Sequence, residues 1–124
     1  MKKNQKKVVV ANAFSLGMFP EGLFNFRFES IDAETARKTL DGNACKSIIG
    51  HADTAKLFSK ELGIELPMNR ETFVFTDEVL TSCVLLIGQY VGPRLPEGAT
   101  ELPSGAKIRW WFVSPIDPWW IDRA

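Results

Sequence analysis

The chain holds a single histidine, His51, and it is the first candidate for proton chemistry. Imidazole alone titrates near neutral pH without help from its surroundings. His51 follows Ile49-Gly50 and precedes a stretch of helical periodicity, so it is expected at a helix N-terminus. Backbone N–H groups at such an end favour anions, phosphate above all. The same end disfavours an imidazolium, and a nearby carboxylate or bound phosphate opposes that effect. The structural alternative is a helix-start histidine that only hydrogen-bonds locally. Arg94 and Glu97 stand in the loop segment Arg94-Leu95-Pro96-Glu97-Gly98. A guanidinium can clamp a phosphate through two parallel hydrogen bonds. The pair reads equally as an exposed Arg/Glu couple of little energetic weight. Asn12 and Ser15 follow the first expected strand, Asn69-Arg70 precede another, and Gln89 ends a third. Strand exits commonly present polar groups to a ligand, although each of these residues is ambiguous alone.

The elements that must position these residues follow from periodicity. Lys7 to Ala13 reads as a short buried strand. Pro20 and Gly22 punctuate the next stretch, and Phe24 to Glu29 alternates as a half-buried strand with Phe inward. Asp32 is an expected helix N-cap, with Ala33, Ala36 and Leu40 on one face and Asp41-Gly42 as the stop. Ala44 to Ile49 is a strand candidate. A helix from about Ala52 carries Thr54, Leu57, Phe58 and Leu62 as its stripe and ends at Gly63. Glu71 to Phe75 alternates as a strand, and Thr76-Asp77-Glu78 suits a turn. Val79 to Gln89 is a central strand buried on both faces, broken by Gly92-Pro93. Arg94 to Gly105 is a loop and Lys107 to Val113 a last strand. Trp110 and Trp111 must then point to opposite faces, one into the core and the other against a helix, an interface or a stacked base. The fold class is α+β: one domain with a mixed sheet of about five strands flanked by helices.

Composition narrows the partners. With 124 residues, 15 basic and 15 acidic, the chain suits one domain and carries no net charge. Lys2, Lys3, Lys6 and Lys7 form a basic N-terminal extension over residues 1–7, outside a domain spanning 8–124. Without those four, 11 basic residues face 15 acidic ones, a net of −4. No global field therefore draws in a long nucleic acid or an acidic membrane. Cys45 and Cys83 form no metal spacing with each other or with His51, so no metal and no cofactor is expected. Both sit in apolar sequence and are expected as buried free thiols. Val8 to Ala11 is too short an apolar run for a signal peptide or a membrane span, which suits a soluble protein of the reducing cytoplasm.

Five short blocks, in order, resemble a known family. They are Asn12-Ala13-Phe14-Ser15-Leu16-Gly17-Met18; Ile49-Gly50-His51 with Asp53-Thr54; Leu66 through Asn69-Arg70; Gln89; and Arg94-Leu95-x-Glu97-Gly98. Together they resemble the viral anti-CRISPR ring nucleases of type III immunity, a family that also has bacterial and mobile-element members. The resemblance runs from about Val8 to Val113. It implies a small α+β homodimer that binds cyclic tetra-adenylate across its interface. It implies cleavage without metal to linear di-adenylates with 2′,3′-cyclic phosphate ends. Carried over by position, His51 would be the general acid, with Arg94 and Glu97 as active-site partners. Gly50, Asn12, Ser15, Arg70 and Gln89 would be ligand-binding positions. Gly92-Pro93 lengthens the segment between Gln89 and Arg94 relative to the family pattern. That departure motivates a second reading, a protein that binds cyclic oligoadenylate without turnover. A third reading, a protein-interaction module, rests on Trp119-Trp120.

Overall fold

Val8, Val9, Val10 and Ala11 are all buried. Successive strand side chains point to opposite faces, so burying four in a row requires cover on both. The computed structural model describes residues 7–18, 23–41, 43, 45–71, 74 and 83–121. In it this strand, β1 (Lys7–Ala11), lies between two parallel neighbours. One is β3 (Cys45–Ser47) and the other is β4 (Cys83–Val91). β4 pairs antiparallel with β5 (Lys107–Ile121), and β5 pairs antiparallel with β2 (Leu23–Ile31). The result is a mixed five-stranded sheet in the order β2-β5-β4-β1-β3.

Helices α1 (Ala33–Leu40) and α2 (Ala52–Leu62) pack on one face of this sheet. Val8, Val10, Leu86 and Trp110 meet Leu40, Phe58 and Leu62 there. The intervening residues Val9, Leu85, Ile87 and Val113 form a second cluster on the opposite face, with Phe26 and Trp111 packed against it. Trp110 and Trp111 thus take opposite faces, as strand geometry requires.

The expected helix signals hold. Asp32 caps α1, its carboxylate accepting the Thr35 backbone N–H at 2.8 Å. Hydrogen bonds from the Thr35 hydroxyl and then its N–H hold that carboxyl below the usual carboxylate range. α2 ends at Gly63, whose φ of 69° is the left-handed conformation that favours glycine.

Several expectations are corrected. Phe28 lies on the same side of β2 as Phe26 but is 50% exposed, because among the described strands β2 is the sheet's edge. Its ring meets Phe14 edge-on, with centroids 5.1 Å apart. Cys45 is exposed and not buried, because it begins the short opposite edge strand β3. Partial desolvation still pushes its thiol pKa up. β5 does not stop at Val113 but continues to Ile121, where it pairs with Leu23. β4 reaches Val91, beyond Gln89.

In the segment 71–75, neither Glu71 nor Val74 belongs to a strand, and the rest lies outside the described residues. The expectations for residues 1–6, Pro20, Gly22, Gly42, Ala44, the 76–78 turn and residues 79–82 also lie outside them. So do the side chains of Phe24, Cys83, Trp119 and Trp120.

Gly88 marks where α2 docks on β4. A Cβ there would come within 2.5 Å of the Phe58 ring and 2.7 Å of Trp110. Those two rings already meet edge-on at 5.0 Å. Gly88→Ala is therefore expected to lower stability by about 1–3 kcal/mol. The measurement is a urea unfolding midpoint, and an unchanged midpoint would contradict this packing.

Candidate functional site

Because β1, β3 and β4 run parallel, their carboxyl ends open at the same edge of the sheet. Open sheets with parallel strands characteristically bind ligands outside those ends. Asn12 directly follows β1, Gly50 and His51 follow β3, and Arg94 to Gly98 follow β4. The topology alone therefore gathers residues from three distant parts of the sequence.

Gly50 is fixed at both of its backbone polar groups. Its N–H donates to Asn12 Oδ1 at 3.3 Å. Its carbonyl accepts from Arg70 Nε at 2.8 Å. Arg70 is itself brought in by a segment stitched to the chain after β3. Asn69 N–H donates to the Ile49 carbonyl at 2.8 Å, and the Asn69 side-chain amide donates to the Ser47 carbonyl at 2.9 Å. Ser47 Oγ donates to the Pro67 carbonyl at 2.6 Å. Beyond Arg70, Lys46 Nζ pairs with the Glu71 carboxylate. The hydrogen bond from Lys46 holds Glu71 below the usual carboxylate range.

His51 comes next. It is the N-cap of α2, with extended backbone (φ −138°, ψ 128°) and no capping hydrogen bond from its side chain. The residue is exposed. The local hydrogen bond of the structural alternative is thus not a cap. The imidazole instead lines an open cleft of about 840 Å³. Asp53 also lines it, as do Tyr90, Arg94 and Glu97. Tyr90 closes its own side by donating its hydroxyl proton to the Pro93 carbonyl. An exposed histidine, an arginine and a carboxylate around one cleft can donate a proton, bind a phosphate and orient the donor.

Gln89 lies elsewhere. Neighbouring strand residues face opposite ways, so Tyr90 joins the His51 cleft while Gln89 faces the other side of the sheet. There Trp111 Nε1 donates to Gln89 Oε1 at 3.3 Å, and the Arg109 guanidinium sits 4.8 Å from the Trp111 ring centroid. Gln89, Trp111, Phe14, Phe28 and Asn12 line a second cavity of about 600 Å³. Ser15 is exposed just after Asn12, and its carbonyl accepts the Met18 N–H at 3.1 Å. Ser15 lines neither cavity.

The structure thus unites His51, Arg94 and Glu97 in one cleft. It ties Asn12, Gly50 and Arg70 into one backbone clamp, and it puts Gln89 with Asn12 on the opposite face. Residue-by-residue reading missed Asp53 and Tyr90 as parts of the cleft. The spacing of Asp53 from His51, within one helical turn, was the available signal for the first. The alternation of β4 was the signal for the second. Among the described residues no group of three or more metal-ligating side chains comes together. Among them, too, no helix is long and apolar enough to cross a membrane.

Comparison with known proteins adds to this geometry. The family model described as STIV B116-like matches residues 8–104. The chain is similar to the solved structure of B116 of Sulfolobus turreted icosahedral virus, at 27% identity with a TM-score of 0.69. That match covers 87% of this chain and 98% of the viral one. No curated protein matches the chain.

The Lys46–Glu71 pair gives a test of how the 67–71 segment is held. A carboxylate with a lowered folded-state pKa adds stability above its unfolded pKa and loses it as pH falls through the folded value. Glu71→Gln is therefore expected to be less stable than the parent chain at pH 7 and equal to it near pH 2. Urea midpoints at the two pH values check this, and a deficit that persists in acid would contradict it.

Proposed function

The chain belongs to the STIV B116-like family, and from that premise we propose that it is a metal-independent ring nuclease. In this reading it cuts cyclic tetra-adenylate into linear di-adenylates with 2′,3′-cyclic phosphate ends and so switches off type III CRISPR signalling. The observation that carries the reading is the convergence of His51, Arg94 and Glu97 on one open cleft. The ordered sequence blocks that contain those residues support it further.

The chemistry asks little of the protein, because RNA supplies its own nucleophile. A ribose 2′-hydroxyl attacks the adjacent phosphorus and the bond from phosphorus to the 5′-oxygen breaks. The 2′-proton passes to water, and the departing 5′-oxygen gains a proton. The protein must align the attack, stabilise the added negative charge and deliver that last proton. His51 donates it, held at the start of α2 with its ring in the cleft. Arg94 takes the growing charge on the phosphoryl oxygens. Glu97, which lines the same cleft, orients His51. The backbone amides at the α2 N-terminus add to the attraction for phosphate. Two chains related by a two-fold axis would bring two copies of His51 to two opposed phosphates of one ring. Zero net charge is no obstacle for so small a ligand, since a few placed groups can hold it.

A second reading, binding without turnover, draws on one specific observation: Gln89 and Arg94 face different cavities. One experiment separates the two. Purified protein with excess EDTA is incubated with many equivalents of cyclic tetra-adenylate. The ring-nuclease reading expects conversion to di-adenylate, and a fall of about 10²- to 10⁴-fold in His51→Ala. Tight binding with the ring recovered intact would favour sequestration. Equal cleavage by His51→Ala would overturn the role given to His51.

A further inference from the structure

The loop that carries Glu97 is built around a tight turn. The Ala99 N–H donates to the Pro96 carbonyl at 3.1 Å, which places Glu97 and Gly98 at the two central positions. Gly98 has a φ of 78°, in the left-handed region. A Cβ there would meet nothing within 4 Å, so the glycine is required by backbone conformation and not by space. Positive φ at the third residue marks the type II arrangement. Its central peptide is rotated by about half a turn relative to the commoner type I.

That central peptide is the one joining Glu97 to Gly98, and its N–H has a specific partner. Gly98 N–H donates to Asp53 Oδ2 at 2.9 Å. Asp53 stands two residues after His51, in the first turn of α2. A carboxylate is a stronger acceptor for an N–H than a neutral oxygen. Reverting the turn to type I would swing this N–H away and break the bond.

We propose that Asp53 is a positioning residue that fixes Glu97 relative to His51 by holding the Glu97–Gly98 peptide in its rotated state. The inference rests on the ring-nuclease reading for the roles of His51 and Glu97. It adds a device that neither residue supplies: the element carrying the acid and the loop carrying its carboxylate partner are joined by one hydrogen bond. Asp53 acts through its acceptor atom. Its charge is secondary, so an amide that keeps an oxygen in the same place should serve nearly as well.

Three variants test this: Asp53→Ala, which removes the acceptor; Asp53→Asn, which keeps one; and Gly98→Ala, which disfavours the turn without a clash. Hydrogen exchange at the Gly98 amide needs no ligand and is measured first. It should quicken in Asp53→Ala and stay close to the parent rate in Asp53→Asn. Unchanged exchange in Asp53→Ala would overturn the proposal. Cyclic tetra-adenylate cleavage is then followed in each variant. Asp53→Ala and Gly98→Ala should lose roughly 10- to 100-fold in kcat. The Kd for the intact ring, measured on a His51→Ala background, should not change. Asp53→Asn should keep most of the kcat with the same pH profile. A matching loss in Asp53→Asn, with a shifted pH profile, would show that the Asp53 charge acts directly and would overturn the positioning role. If the parent chain leaves the ring uncut, the ring reading fails, while the exchange data still decide whether Asp53 holds the turn.

Discussion

The candidate site depends on how Gly50 is held. The half-buried Gly50 has a side-chain partner from a different part of the chain for its N–H and another for its carbonyl. Asn12 takes the N–H and Arg70 supplies a donor to the carbonyl. His51 is the next residue, so its backbone position is fixed before α2 begins. Neither side chain would be in place without the sheet. Asn12 is there because β1 pairs in parallel with both β3 and β4. Arg70 is there because Asn69 and Pro67 bond to the chain around β3. Two residues expected to hold a ligand thus each commit one hydrogen-bonding group to the scaffold. Their remaining donors, the Asn12 amide N–H groups and the terminal guanidinium nitrogens of Arg70, are still suited to an anion.

The sheet also separates two environments at one edge. On the helix-covered face, the His51 cleft gathers groups suited to proton transfer and phosphate binding. On the other, aromatic rings and the Gln89 amide line a less polar cavity. Asn12 belongs to the second and, through Gly50, is coupled to the first. A ligand that combines phosphates with flat bases presents both chemistries, and a small cyclic oligonucleotide does so in compact form.

Much of this was legible in the sequence, and the exceptions have physical causes. The caps were readable because they are local: Asp32 and Gly63 act within one turn of their own helices. The central strand was readable because residues buried on both faces form an unbroken apolar run, as Leu85, Leu86 and Ile87 do. Edge effects were not readable. Phe28 alternates correctly yet is half exposed, because alternation reports the pleat and not which strand ends the sheet. Cys45 is exposed for the same reason. The length of β5 was hidden by Pro115 and Pro118, which argue against a central strand. For the site, residue type and motif order pointed to His51, Arg94 and Glu97. Nothing local could reveal that Asp53 reaches Gly98 across 45 residues of sequence.

The central claim is that the ring is opened by its own 2′-hydroxyl at the His51 cleft, with no attacking water. Cleavage of cyclic tetra-adenylate in ¹⁸O-labelled water, with EDTA present and products weighed by mass spectrometry, tests it most directly. The account expects di-adenylate with a 2′,3′-cyclic phosphate and no ¹⁸O in it. A first-formed product carrying ¹⁸O on its phosphate, or a ring that stays intact, would contradict it.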